Sequence, residues 1–129
     1  THGLDGARVL VAEDHRVNQL LLEQLLLSVG VCITMVNNGV EAVEAVKQAG
    51  QGGFDLLLCD IEMPLMDGYQ ATEQILQLDP GLPVLGLTAH AFEEARAKGL
   101  RAGMVDYLVK PFVHDELMRL MARHARRTA

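Results

Sequence analysis

The chain has 129 residues, which is room for one domain with one sizeable core and no second one. Half of the residues are apolar, 22% are charged and the net charge is −6; this is globular composition, and without a basic stripe it argues against nucleic acid as a ligand. No unbroken apolar stretch reaches the length of a membrane span or a signal peptide, so a soluble, cytoplasmic domain without direct membrane contact is expected.

One domain is expected over 1–129, with 1–6 reading as a linker remnant. The apolar run Arg8-Val-Leu-Val-Ala12 predicts a first strand over 8–12, closed by Glu13 and Asp14. A helix over 16–29 follows. Its leucines at 20, 21, 22, 25, 26 and 27 cover most of the circumference, which implies burial on two sides, by the sheet and by either a partner helix or the chain's own last helix. Gly30 ends that helix, strand two takes 32–36, and Asn37-Asn38-Gly39 forms a loop into a helix over 39–49. Strand three, 54–59, is closed by Asp60, and a turn containing Met63-Pro64 and Asp67-Gly68 opens a helix over 68–78, with Asp67 able to cap it. Asp79-Pro80-Gly81 turns into strand four at 83–87, ending at Thr88. A helix over 91–101, a strand over 105–109 ending at Lys110, and a helix over 113–126 complete the chain.

Strands that alternate with helices imply an α/β domain with a parallel sheet, and right-handed crossovers place helices on both faces. Ligands of such sheets bind outside the carboxyl ends of the strands. Glu13, Asp14 and Asp60 therefore meet in one pocket. Three carboxylates at close range resist joint ionisation, so they require shared protons or a hard, oxygen-seeking cation, Mg²⁺ or Mn²⁺. With such an ion an aspartate can attack a phosphoryl group, which makes Asp60 the candidate acceptor and Glu13 and Asp14 the metal holders. Thr88 and Lys110 reach the same edge and supply a hydroxyl and an ammonium for phosphoryl oxygens.

Each of these residues also has a plainer reading. Glu13 and Asp14 suit a helix N-terminus, Thr88 could cap the following helix, and Lys110 could be a solvated lysine. Their joint placement at the ends of strands one, three, four and five favours the pocket. A cis peptide is far easier before proline than elsewhere, and Lys110-Pro111 is expected to adopt it, fixing the lysine's approach. Cys32 and Cys59, each inside an apolar run and without metal-ligand spacing, are expected to be buried, inert thiols. Arg119, Arg123, Arg126 and Arg127 are expected to complement the last helix's C-terminal dipole.

Glu13-Asp14, Asp60-Ile-Glu-Met-Pro-Leu-Met-Asp-Gly68, Leu87-Thr-Ala89 and Asp106-Tyr-Leu-Val-Lys-Pro-Phe112 together resemble the receiver domain of two-component response regulators, over essentially the whole chain. The resemblance implies a flavodoxin-like fold, a single five-stranded parallel sheet in the order 2-1-3-4-5. It implies that Asp60 is phosphorylated by a phosphohistidine donor, from a histidine kinase or a histidine phosphotransfer domain. Glu13, Asp14, Asp60 and the main-chain carbonyl of Glu62 would ligate Mg²⁺, and Thr88 and Lys110 would hold phosphoryl oxygens. It further implies a switch in which the Thr88 hydroxyl moves toward the phosphoryl group and Tyr107 turns into the space vacated. Glu62 and His90 fall where receivers vary and could tune the lifetime of the acyl phosphate. His15 departs from the asparagine of many related receivers and is read as a helix-start residue.

Asn18-Gln19, Asn38-Gly-Val-Glu-Ala42, Asp67-Gly-Tyr69 and Leu87-Thr-Ala-His-Ala91 are most similar to receivers within hybrid sensor histidine kinases, so a parent chain anchored in the inner membrane is expected; a stand-alone response regulator is the alternative. On this reading the domain is no enzyme beyond its own phosphorylation and dephosphorylation. A haloacid-dehalogenase-type phosphatase would carry its nucleophile after the first strand, with an Asp where Glu62 stands, and would need a cap domain. A flavodoxin-like cofactor binder needs a Gly- or Ser-rich phosphate loop where Glu13-Asp14-His15 stands. A scaffold without phosphorylation would not need the full set Glu13, Asp14, Asp60, Thr88 and Lys110.

Overall fold

The computed structural model describes residues 4–89 and 93–126. Five strands, β1 (Arg8–Ala12), β2 (Cys32–Val36), β3 (Leu56–Asp60), β4 (Val84–Thr88) and β5 (Asp106–Val109), alternate with α1 (Arg16–Leu27), α2 (Gly39–Ala49), α3 (Gly68–Leu78), α4 (Glu93–Ala102) and α5 (His114–His124). The strands form one parallel sheet in the order β2-β1-β3-β4-β5. β1 and β3 are thus central, and the acids that end them are neighbours.

Side chains alternate across the sheet with a period of two, and the core divides accordingly. Val9, Val11, Leu56, Leu58, Leu85, Leu87 and Leu108 pack against Leu22 and Leu26 of α1 and Leu117, Met118 and Met121 of α5. Leu10, Ala12, Leu57, Cys59 and Val84 face Ala42 and Val46 of α2, Ala71 and Ile75 of α3 and Ala102 of α4. By this alternation Glu13, Asp60 and Lys110 belong to the α1/α5 face, whereas Thr88 and Tyr107 belong to the other. Among the described residues no helix is long and apolar enough to cross a membrane.

Several boundaries differ from the sequence expectation for identifiable reasons. β3 starts at Leu56 rather than 54: the Asp55 N–H still donates to the Arg8 carbonyl of β1 at 2.7 Å, but the Asp55 carboxylate and the Phe54 carbonyl are engaged by arginines. The Asp55 carboxylate accepts from the backbone N–H of Arg8 at 2.8 Å and pairs with its guanidinium at 3.1 Å, and the Phe54 carbonyl accepts from Arg126 Nε at 2.9 Å. Arg126 also chelates Asp79, with Nη2 2.6 Å from Oδ2. It lies beyond the end of α5 and clamps two loops, correcting its reading as a dipole partner.

Cys32 is exposed, a correction to the expected burial: β2 is the sheet's edge strand, and each of its residues is exposed or half-buried. Cys59, in the central β3, is buried. The leucine-rich α1 buries Leu22 and Leu26 but leaves Val17, Leu20, Leu21 and Leu27 exposed, so α5 does not cover the excess. Asp67 caps α3 through a capping box with Gln70. Gly68 is needed for close approach: a Cβ there would overlap the carbonyl oxygen of Asp60.

Candidate functional site

Strand register sets the level of each functional residue. Ala12 pairs with Cys59, so Glu13 stands level with Asp60; Asp60 pairs with Leu87, and Thr88 with Val109, immediately before Lys110. Glu13, Asp60, Thr88 and Lys110 consequently share one carboxyl edge. The Thr88 carbonyl accepts from the backbone N–H of Lys110 at 2.7 Å, which extends the β4–β5 ladder to the lysine. The Lys110–Pro111 peptide is cis.

The Asp60 side chain, 2% exposed, is held at both oxygens. Oδ1 accepts from the Glu62 backbone N–H at 3.0 Å, and Oδ2 accepts from Lys110 Nζ at 2.8 Å. The same ammonium lies 3.1 Å from Glu13 Oε1. Glu13 is fully buried, and its Oε2 accepts from the His15 backbone N–H at 2.9 Å. His15 is the N-cap of α1 and makes no side-chain cap bond. Neither acid of the Glu13-Asp14 pair caps the helix from its own side chain, which leaves both for the pocket.

Oxygens of Glu13, Asp14 and Asp60 lie within 4.8 Å of one another. One ammonium faces three carboxylates, an imbalance that a divalent cation would complete. Glu13 Oε1 and Asp14 Oδ1 are buried and accept no hydrogen bond among the described residues, the contact of Glu13 with Lys110 being an ion pair. Burial pushes the Glu13 carboxyl above the usual range; the His15 N–H opposes this, the neighbouring Asp60 carboxylate adds to it, and Lys110 draws it down. For Lys110, burial works against the charged form, but the hydrogen bond and charge of Asp60 and the charge of Glu13 outweigh it and hold the ammonium above the ordinary lysine range. The cluster attracts positive charge and keeps Lys110 ionised.

An open cleft over Asp60 is lined by His15, Val17, Asn18, Glu62, Ala89 and Lys110. His15 and Glu62 are exposed at its rim. His90 lies outside the described residues. Tyr107, half-buried and paired in register with Gly86, sits under the Arg96 guanidinium at 6.0 Å and beside a small apolar cavity lined by Ile61, Gly99, Leu100 and Met104. Sequence reasoning missed a further group. Gln19, which stands in the sequence only within the motif Asn18-Gln19, is buried and donates from Nε2 to the Glu13 carbonyl at 2.5 Å and to Asn37 Oδ1 at 2.8 Å. The available signal was an amide at the fourth position of a helix that follows the acid pair.

A family model described as the response regulator receiver domain matches residues 9–122. The chain is 38% identical over 123 residues to sensor histidine kinase RcsC of Salmonella typhi, an alignment that takes in 95% of this chain but only 13% of that relative's length. Among solved structures, the receiver domain of sensor histidine kinase PA1611 from Pseudomonas aeruginosa PAO1, which has a magnesium ion coordinated in its active-site cleft, superposes with a TM-score of 0.85 at 38% identity, covering 93% of this chain and 98% of that one. A chain in the co-crystal structure of the Saccharomyces cerevisiae histidine phosphotransfer protein Ypd1 with the receiver domain of Ssk1 gives a TM-score of 0.86 at 27% identity, covering 95% and 90%.

Proposed function

This chain belongs to the family of response regulator receiver domains, and from that premise we propose that Asp60 accepts a phosphoryl group from a phosphohistidine and that the phosphorylated domain switches conformation to control signalling. The observation that carries the proposal is the Asp60 carboxylate, fixed in an open cleft between Lys110 Nζ and the Glu62 N–H, with the acids Glu13 and Asp14 within reach of the same point. In the transfer the P–N bond to imidazole breaks and a P–O bond to Asp60 forms.

Glu13, Asp14, Asp60 and the Glu62 carbonyl are the residues that would hold Mg²⁺ or Mn²⁺; the buried Glu13 Oε1, which is ion-paired to Lys110, and Asp14 Oδ1, neither accepting a hydrogen bond among the described residues, fit that role. When bound, the ion neutralises charge on the oxygens of the transferring group. Lys110 already pairs with the acceptor and supplies a second cation to those oxygens, while the Thr88 hydroxyl supplies a hydrogen bond. Because Thr88 and Tyr107 belong to the same face of the sheet, movement of the threonine toward the phosphoryl group would make room for the tyrosine ring, a shift between existing conformers.

The donor would be a histidine kinase or a histidine phosphotransfer domain. Exposed Val17, Leu20, Leu21 and Leu27 run down α1 from the cleft, of which Val17 is a wall, and suit the helices of such a donor. With 13% of the length of its curated relative, the chain reads as the receiver segment of a hybrid sensor kinase whose parent is anchored in the inner membrane, with this domain on the cytoplasmic side. Incubation with acetyl phosphate and Mg²⁺ tests the reading. One phosphoryl group should add to the wild type and none to Asp60→Asn; equal labelling of the two, or of neither, overturns it.

A further inference from the structure

The hydrogen bonds behind the acid pair extend further than the pocket itself. Glu13 is pinned by its backbone N–H to the Val36 carbonyl at 3.1 Å, by Oε2 to the His15 N–H, and by its own carbonyl to Gln19 Nε2 at 2.5 Å. That carbonyl belongs to the peptide joining Glu13 to Asp14. Its rotation sets the direction in which both carboxylates leave the backbone. Gln19 is in turn immobilised: the side chain is buried, Oε1 accepts from Arg16 Nη1 at 3.2 Å, and the second Nε2 hydrogen goes to Asn37 Oδ1. Asn37 is anchored as well, its N–H donating to Glu41 Oε1 at 2.8 Å.

We infer that Gln19 is a positioning residue for metal binding: its amide ties the Glu13–Asp14 peptide to α1 and, through Asn37, to the loop after β2, so that both acids are aimed before any ion arrives. Only a side chain with two amide hydrogens and an acceptor can make these three bonds at once. Partners that orient metal ligands are worth about 10- to 100-fold in affinity when removed. The inference rests on the receiver reading of the site, because it assumes that Glu13 and Asp14 hold a divalent ion.

The test is a Mg²⁺ titration, read as the rise in melting temperature, on wild type, Gln19→Met and Asn37→Ala, with circular dichroism to confirm folding. Gln19→Met keeps the length and helix propensity of the side chain but donates no hydrogen bond; its Kd for Mg²⁺ should rise about tenfold. Asn37→Ala keeps the bond from Gln19 to Glu13 and releases the second anchor together with the Asn37 side chain's own bond to Glu41 Oε1 at 3.3 Å, so a rise of roughly threefold is expected, below that range. A folded Gln19→Met with wild-type Mg²⁺ affinity overturns the inference, even if its melting temperature falls, since a purely structural glutamine would behave in that way. Should Gln19→Met fail to fold, an Asn37→Ala affinity equal to wild type overturns it instead. Wild type that binds no Mg²⁺ sinks the proposed function itself, and the inference with it.

Discussion

Lys110 Nζ lies 2.8 Å from Asp60 Oδ2, fifty residues away in the chain, and is shared with Glu13 Oε1 at 3.1 Å. The ammonium therefore has two tasks that oppose each other: it compensates the acid cluster at rest and competes with any cation that enters. Lys110→Met removes both. Phosphorylation by acetyl phosphate should slow by about 100-fold or more, the usual loss for one charge-stabilising donor. Mg²⁺ should at the same time raise the melting temperature more than in wild type, because three carboxylates then lack any counter-charge. A variant with slower phosphorylation and an unchanged Mg²⁺ response would separate the lysine from the metal site.

Arg126 makes the pH dependence of stability predictable at the opposite end of β3. Its hydrogen bonds hold the Asp79 carboxyl below the usual range; burial opposes this, and the Gly52 N–H reinforces it. A depressed carboxylate stabilises the fold fully above the ordinary value of 3.8 and loses that contribution as pH falls through the lower folded value. Arg126→Met should cost about 1–3 kcal/mol at neutral pH, from the removal of a charged hydrogen bond and a buried carboxylate left without its partner. Urea denaturation at pH 7 and at pH 3 checks this: the gap between the proteins should narrow in acid.

How much of this is legible in the sequence depends on how locally each feature is encoded. The acids, the threonine and the lysine are legible because each directly follows an apolar strand run, and strand direction alone carries such residues to one edge. Gln19 is not, because its partners Glu13 and Asn37 become neighbours only when β1 and β2 pair. The exposure of Cys32 is hidden for a related reason: an apolar run reads alike on an edge strand and on a central one, and only the strand order separates them. Arg126 looks like a helix-end cation because its true partners, Phe54 and Asp79, lie in distant loops.

Those two cysteines give a chemical test of strand order. Burial pushes the Cys59 thiol up to about 12, with the charge of Asp60 adding to the rise, whereas Cys32 is open to solvent on the edge strand. Iodoacetamide at pH 8 should alkylate one thiol in the native protein and two in urea, and peptide mapping should place the native label on Cys32. Rapid native labelling at Cys59 would contradict the packing of β3.

Leu65 has a φ of 69° and is 84% exposed, in the loop between the acceptor and α3. A left-handed conformation costs a residue with a Cβ about 1–2 kcal/mol, and an exposed leucine recovers little of that by burial. Asparagine tolerates this region, so Leu65→Asn should raise stability by roughly 0.5–1 kcal/mol in chemical denaturation. A fall in stability would mean that the side chain packs in a way its exposure does not reveal.

The stripe on α1 separates docking from chemistry. Leu20 is exposed on the helix that begins at the cleft and is not among the residues that line the cleft. Leu20→Lys retains helix propensity and places a charge where an apolar donor surface would have to bury it. Phosphorylation by acetyl phosphate, which needs no docking, should match wild type. Transfer from a phosphohistidine protein should fall by about tenfold, equivalent to roughly 1.4 kcal/mol, the scale on which removing one apolar side chain weakens an interface. Equal loss with both donors would place Leu20 in the catalytic site's support, and no loss with either would move the docking surface off α1.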